Sequence, residues 1–381
     1  MTVEPVAINV RRGDAHESQS GLQLLAPRIW GILHRPAKAR IAAVIIHPTS
    51  NFMGHYLLEP LSTRGLAAFG LNTRYQGSDT ALLLERAIQD LGAGVRWLRS
   101  EGFGRVLLIG NSGGGALVSF YQAQAEHLDI ADTPAGDPID LEPADLPPAD
   151  GIALTAAHLA RSRLLQSWID PAAIDEADLL ATDPSPDMFD PKNGPPYAPN
   201  FMLRYRQAQT DRLERLEHWA KVKLQELRAV AAGPKDMAFV VHRTLADPRC
   251  LDASLDPNDR TAGTTVWGPP REQNFAANSL GRYTSLTAFL SQWAVQPRRR
   301  SGQPGTHLRS STARGAHGGL FDVSQRPCPL GSGSRRPRHP PQAQRWDVLP
   351  LRSTDPDCVA RRHRLCVRAA SLKSQLDGGQ P

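Results

Sequence analysis

Along the first 160 positions, short unbroken apolar runs alternate with stretches whose apolar residues recur at helical spacing. The run IAAVIIHPTS (41–50) is apolar, β-branched and ends in polar residues, which predicts a strand buried on both faces. HYLLEPLSTRG (55–65) suits a short helix stopped by Gly65, and LAAFGLNTRY (66–75) is the next strand. Over 79–99, Leu84, Ile88, Leu91, Val95 and Leu98 mark one helix face, with Asp79 as its N-cap and Gly102 ending the unit. RVLLIGN (105–111) is a third strong strand, 113–127 the helix after it, and DGIALTAAH (150–158) a fourth strand. VAINV and RIWGILHRP add edge strands. Strands and helices alternating at this spacing predict a doubly wound, mostly parallel α/β sheet.

The rhythm then changes. Residues 128–150 are acidic and proline-rich and read as a surface excursion between helix and strand. Residues 161–285 lack a strand–helix alternation: a proline-rich stretch precedes a long helical pattern at 200–230, and MAFVVHRTL (237–245) suits one more strand. This is the pattern of a cap inserted into a core formed by residues 1–160. Residues 274–295 read as a final amphipathic helix, of which 286–295 is the recognisable end.

Beyond it the composition breaks. Residues 296–381 hold 15 Arg and 1 Lys against 5 Asp and no Glu, a net of +11, with 10 Pro and no Ile, Tyr, Met or Asn. The formal charge of +6 therefore hides a mildly acidic body and a strongly basic tail. Two readings fit the tail: a genuine basic extension for an acidic partner or nucleic acid, or out-of-frame translation of GC-rich coding sequence. Either way it is expected to be largely irregular. The four cysteines show no metal-ligand spacing, and neither a secretory leader nor a membrane span is readable, so a cytoplasmic protein is expected.

The chemistry concentrates in LLIGNSGGGALVSFY. Residues 110–114, GNSGG, fit G-x-S-x-G, with a buried strand immediately before and a helix immediately after. A serine on such a corner adopts strained backbone angles, and Gly110 and Gly114 remove side chains that would collide across the turn. The backbone N–H of Gly113, at the helix start, points where an oxyanion would form, aided by the helix dipole. A phosphate-binding turn would show Gly-x-Gly-x-x-Gly after the first strand or a Lys-Ser/Thr pair, and neither is present.

With VIIHPTSNFMGHY, GLAAFGLNTRYQGSD, LLIGNSGGG and IALTAAH, residues 36–160 resemble an α/β-hydrolase of the bacterial serine esterase or acyl-hydrolase branch, and the likeness extends to about residue 295. The resemblance implies Ser112 as catalytic nucleophile. It also implies that the loop after the strand ending in HPTS supplies the second oxyanion N–H, from Thr49 or Ser50. His47 and His158 each end a strand and are expected to flank Ser112 and line the pocket, or to stand in as a base. The family order places an acid and then a histidine after Trp293. No apolar run ending in Asp occurs there, so acid and base stay unassigned. His317 and His363 are the histidines to weigh, the first too soon after Trp293 and the second in a context unlike the family's.

The implied activity is hydrolysis of a small-molecule ester or related acyl bond, with no metal or organic cofactor and no membrane or nucleic-acid partner beyond the tail. Trp168, Phe189, Tyr197 and Phe201 are expected to line an acyl pocket or to pack as core. Without a readable base and acid, turnover by the chain as written is expected to be low. The alternative is a non-catalytic α/β scaffold whose basic tail binds an acidic partner or nucleic acid.

Overall fold

A computed structural model describes residues 1–11, 27–255, 263, 265, 268–277 and 282–294. The elements in order are β1 (Thr2–Asn9), β2 (Arg28–Arg35), β3 (Ile41–His47), α1 (Leu58–Thr63), β4 (Ala67–Asn72), α2 (Leu84–Ser100), β5 (Arg105–Asn111), α3 (Gly114–Glu126), β6 (Gly151–Thr155), α4 (Arg161–Trp168), α5 (Pro199–Ala229), β7 (Ala238–Val240), α6 (Pro270–Phe275), β8 (Tyr283–Ser285) and α7 (Leu286–Trp293). Among the described residues, six strands form one sheet in the order β1-β2-β4-β3-β5-β6. β2 runs antiparallel to β1 and β4, whereas β4, β3, β5 and β6 are mutually parallel. This mostly parallel sheet with helices on both faces is the architecture of the α/β-hydrolase fold.

The two faces follow from alternation along the strands. In β3, Ala42, Val44 and Ile46 join the core cluster that holds Ile88, Leu91 and Val95 of α2 and Leu117 and Val118 of α3. Ala43 and Ile45 point the other way and pack with Phe52 and with Leu58 of α1. A central strand covered on both faces has no polar side, which is why 41–46 reads as an unbroken apolar run. Each Leu or Ile so buried contributes about 1.5–3 kcal/mol.

Several expectations change. β2 is not an edge strand, since it lies between β1 and β4. Asp79 does not cap α2: the N-cap is Leu83, with no side-chain cap, and Asp79 instead pairs with Arg161. β6 is shorter than expected and lies at the rim, pairing only with β5 among the described residues, so Ala153 and Leu154 are exposed. β7 is not a strand of the main sheet but joins β8 in a separate antiparallel pair. The stretch 274–295 is not one helix: α6 ends at Phe275, and among the described residues after it come β8 and then α7. Ser285 caps α7, its Oγ accepting the N–H of Ala288 at 3.2 Å. Nor is α7 amphipathic. Every residue from Ala288 to Trp293 is buried, because α5, α4 and β7 cover one side and the start of α2 the other.

Residues 161–285 carry a polar interior of their own. Asp170, fully buried, accepts from Arg243 and Asn274, and Arg212 holds Glu176 in a forked pair. Tyr197, Phe201 and Tyr205 stack in an apolar cluster with Met188, and Phe189 packs against it. Three of the four aromatics expected either in a pocket or in a core are therefore core. Residues 296–381 lie outside the described residues.

Candidate active site

β5 ends at Asn111 and α3 begins at Gly114, which leaves two residues to turn the chain. Ser112 makes the turn with φ of 55°, in the left-handed region. For a residue with a side chain that conformation costs about 1–3 kcal/mol and persists only where the surroundings over-determine it. Here they do. The Ser112 N–H donates to the carbonyl of Thr155 at 3.1 Å, and its own carbonyl accepts from Gly115 at 3.1 Å and His158 at 3.0 Å. The close approach of α3 explains the glycines: a Cβ on Gly114 would lie 1.9 Å from the carbonyl oxygen of Ile46, and one on Gly110 2.5 Å from that of Gly114.

His47 stands at the end of β3, beside β5. Its Nδ1 accepts the backbone N–H of Thr49 at 3.1 Å and that of Ser50 at 2.9 Å. The two amides expected as oxyanion donors are thus taken up by His47. The physical reason is local: the chain turns at Pro48 tightly enough to wrap both N–H groups around the imidazole. Burial, with Arg161 and His158 nearby, lowers the His47 pKa from 6.5 to about 3, so the ring is neutral at pH 7. An Nδ1 that accepts two N–H groups carries no proton, and the ring proton sits on Nε2. That nitrogen borders Gly113, where a Cβ would come within 2.8 Å of it.

His158 lies three residues beyond β6 rather than at its end, and reaches the corner through its backbone. Its ring meets Trp168 edge-on, with centroids 6.4 Å apart. A row of rings leads from His47 to Phe52 (5.7 Å), His55 (4.5 Å) and the exposed Tyr56 (4.2 Å). Asn72 fixes this loop, accepting from the Phe52 N–H at 2.7 Å and donating to Asn51 at 2.9 Å. Asn111 donates to Thr155 Oγ1 at 3.0 Å and to Tyr56 Oη at 3.4 Å.

Sequence reasoning missed Arg161. It is buried at the start of α4, pairs with Asp79 and donates from Nε to Gln292 at 2.9 Å. A signal existed: Asp79 and Arg161 both lie just past the carboxyl ends of parallel strands, where sites in such sheets are built. His317 and His363 lie outside the described residues. Among the described residues no cluster of three or more His, Cys, Asp or Glu could hold a metal, and no helix is long and apolar enough to cross a membrane.

No protein-family model and no curated protein matches the chain. Among solved structures it is similar to the esterase domain of a Rhodothermus marinus protein (18% identity over 43% of this chain and 57% of that one, TM-score 0.27). It is also similar to an inhibited esterase B from Lactobacillus rhamnosis (23%, 46% and 54%, 0.28). A third is the acetyl ester-xyloside bifunctional hydrolase from Caldicellulosiruptor lactoaceticus (18%, 42% and 60%, 0.30). The chain spans less than two thirds of each of these proteins. The fold assignment stands on the strand order of this sheet.

Proposed function

We propose that this chain is a serine hydrolase that cleaves an ester or related acyl bond of a small molecule through Ser112. The observation that carries this reading is the left-handed backbone of Ser112 between β5 and α3, fixed by three backbone hydrogen bonds. A plain strand-to-helix turn would place glycine at a strained position; serine there is a cost that a nucleophile explains. Oγ bonds the acyl carbon and the carbonyl pair moves onto oxygen. The N–H of Gly113 and the positive end of α3 stabilise the oxyanion. Residues 161–285 act as the cap that shapes the acyl side of the site.

In this reading the acid and base fall beyond Trp293. Removing triad members leaves about 10³–10⁴-fold catalysis over water, and turnover of that order is expected of the chain as written if residues 296–381 supply no base. The test is a fluorophosphonate label followed by mass spectrometry, with p-nitrophenyl ester hydrolysis alongside. Label on Ser112 and its absence in Ser112→Ala support the reading, and a folded chain that takes no label at Ser112 rejects it.

A further inference from the structure

We infer that His47 is a catalytic hydrogen-bond donor: its Nε2–H, together with the N–H of Gly113, holds the oxyanion formed at Ser112. The inference rests on the hydrolase reading and deepens it. A strand-end histidine beside a serine invites the opposite assignment, that of a general base, and the geometry decides between them.

A base needs a free ring nitrogen aimed at the serine. In His47 the unprotonated nitrogen is Nδ1, and it is engaged by two backbone donors at 3.1 and 2.9 Å. The nitrogen left facing the corner is Nε2, which bears the proton and has no hydrogen-bond partner among the described residues. It lies against Gly113, the residue after the nucleophile, so closely that a methyl group there would sit 2.8 Å from it. Nε2 and the Gly113 backbone are thus neighbours at the corner, and any side chain at 113 would press on the ring nitrogen. The charges around His47 agree with a neutral ring, since Arg161 and His158 both disfavour imidazolium.

A neutral imidazole of lowered pKa can polarise a carbonyl as an amide does. In this assignment Thr49 and Ser50, whose N–H groups donate to Nδ1, are not the donors. Their N–H groups act one bond network away: they fix the tautomer and the ring plane, and the imidazole presents the hydrogen. In the step itself Oγ forms a bond to the acyl carbon, and the C=O pair moves onto oxygen between Gly113 N–H and His47 Nε2–H. The Oγ proton passes to water or a base. Collapse restores C=O and expels the alkoxide, which takes up a proton. His47 neither gains nor loses a proton at any point.

The experiment uses the full chain and a fluorophosphonate, whose reaction joins Oγ to phosphorus, expels fluoride and leaves a phosphoryl oxygen where the oxyanion would be. Labelling rates at Ser112 are compared for wild type, His47→Phe and His47→Gln, and histidine ¹H–¹⁵N spectra are recorded before and after labelling. His47→Phe is expected to label about 10²–10³-fold more slowly, with His47→Gln, which returns an N–H near the Nε2 position, between the two. In wild type the spectrum should show Nε2 protonated and Nδ1 bare from pH 5 to 8, and the Nε2–H resonance should move downfield in the adduct.

Equal rates in wild type and folded His47→Phe overturn the donor role while leaving the hydrolase reading intact. A labelling rate that titrates with His47 overturns it in favour of a base. Should His47→Phe fail to fold, an Nε2–H resonance that does not move on labelling overturns it on wild type alone. Folded wild type without label at Ser112 removes the hydrolase reading and this inference with it.

Discussion

His158 donates its backbone N–H to the carbonyl oxygen of Ser112 at 3.0 Å, so the segment after β6 clamps the corner from outside while Thr155 holds it from within β6. The clamp keeps a left-handed serine where its own preference would unwind the turn. Relief of that strain is measurable. Ser112→Gly should stabilise the chain by about 1 kcal/mol, a rise of a few degrees in Tm, while abolishing label at the corner. A thermal midpoint unchanged or lowered in Ser112→Gly would show that the backbone there is not strained.

Gly114→Ala tests the seating of α3. The added methyl would meet the Ile46 carbonyl at 1.9 Å, and backbone on both sides leaves no side chain to yield. The expected loss is about 3 kcal/mol or more, seen as a lower urea midpoint or as insoluble expression. A midpoint within error of wild type would mean that α3 does not sit against β3 as described.

The pH dependence of stability follows from His47. Unfolded, the ring takes up its proton near 6.5; folded, only near 3, with burial the leading cause and Arg161 and His158 after it. Between those values the unfolded chain binds the extra proton. The contribution of His47 is therefore fully present above about pH 6.5 and declines as pH falls toward 3, by up to about 1.4 kcal/mol per pH unit. His47→Gln lacks this slope. Urea midpoints at pH 7.5 and pH 5 should differ more for wild type than for the variant.

Asp170→Ala should be among the most damaging substitutions outside the corner. Its carboxylate is fully buried and accepts from Arg243 at 2.8 Å and Asn274 at 2.6 Å. Removing it leaves the buried Arg243 guanidinium without its acid, a loss of about 3–5 kcal/mol, read as a drop in denaturation midpoint. Replacing both, as Asp170→Leu with Arg243→Met, should cost less than the single change.

The parts of the fold legible in the sequence were those whose pattern is set by burial on two faces. β3 and β5 match their apolar runs nearly to the residue because their middle positions are covered on both faces, Ala42 to Ile46 in β3 and Leu108 to Gly110 in β5 being buried. β6 reads longer in the sequence than it is because Ala156 and Ala157 continue the apolar run GIALT, whereas Ala156 turns the chain with φ of 45°. α7 looked amphipathic because Ser291 and Gln292 are polar. They are buried all the same, since Ser291 bonds Glu85 at 2.8 Å and Gln292 bonds the carbonyl of Asp79 at 2.8 Å. Polar contacts across 206 and 213 positions leave no local signal. At the corner, the spacing of GNSGG sufficed to place Ser112 on the turn between β5 and α3. What Thr49 and Ser50 do depends on the wrap of three residues around one imidazole, and no residue type encodes that.

Arg161 meets Asp79 across 82 positions and Gln292 across 131. A chain made from its N-terminus completes the turn at Ser112 long before Gln292 has been synthesised, and contacts of such long range close late in folding. The positive charge beside His47 is thus held in part by the distant helix α7, through Gln292, as well as by Asp79. If Ser112 is the nucleophile proposed above, its competence becomes a report on the rest of the molecule: a truncated or half-docked chain would present the serine without the charge that Arg161 sets beside His47.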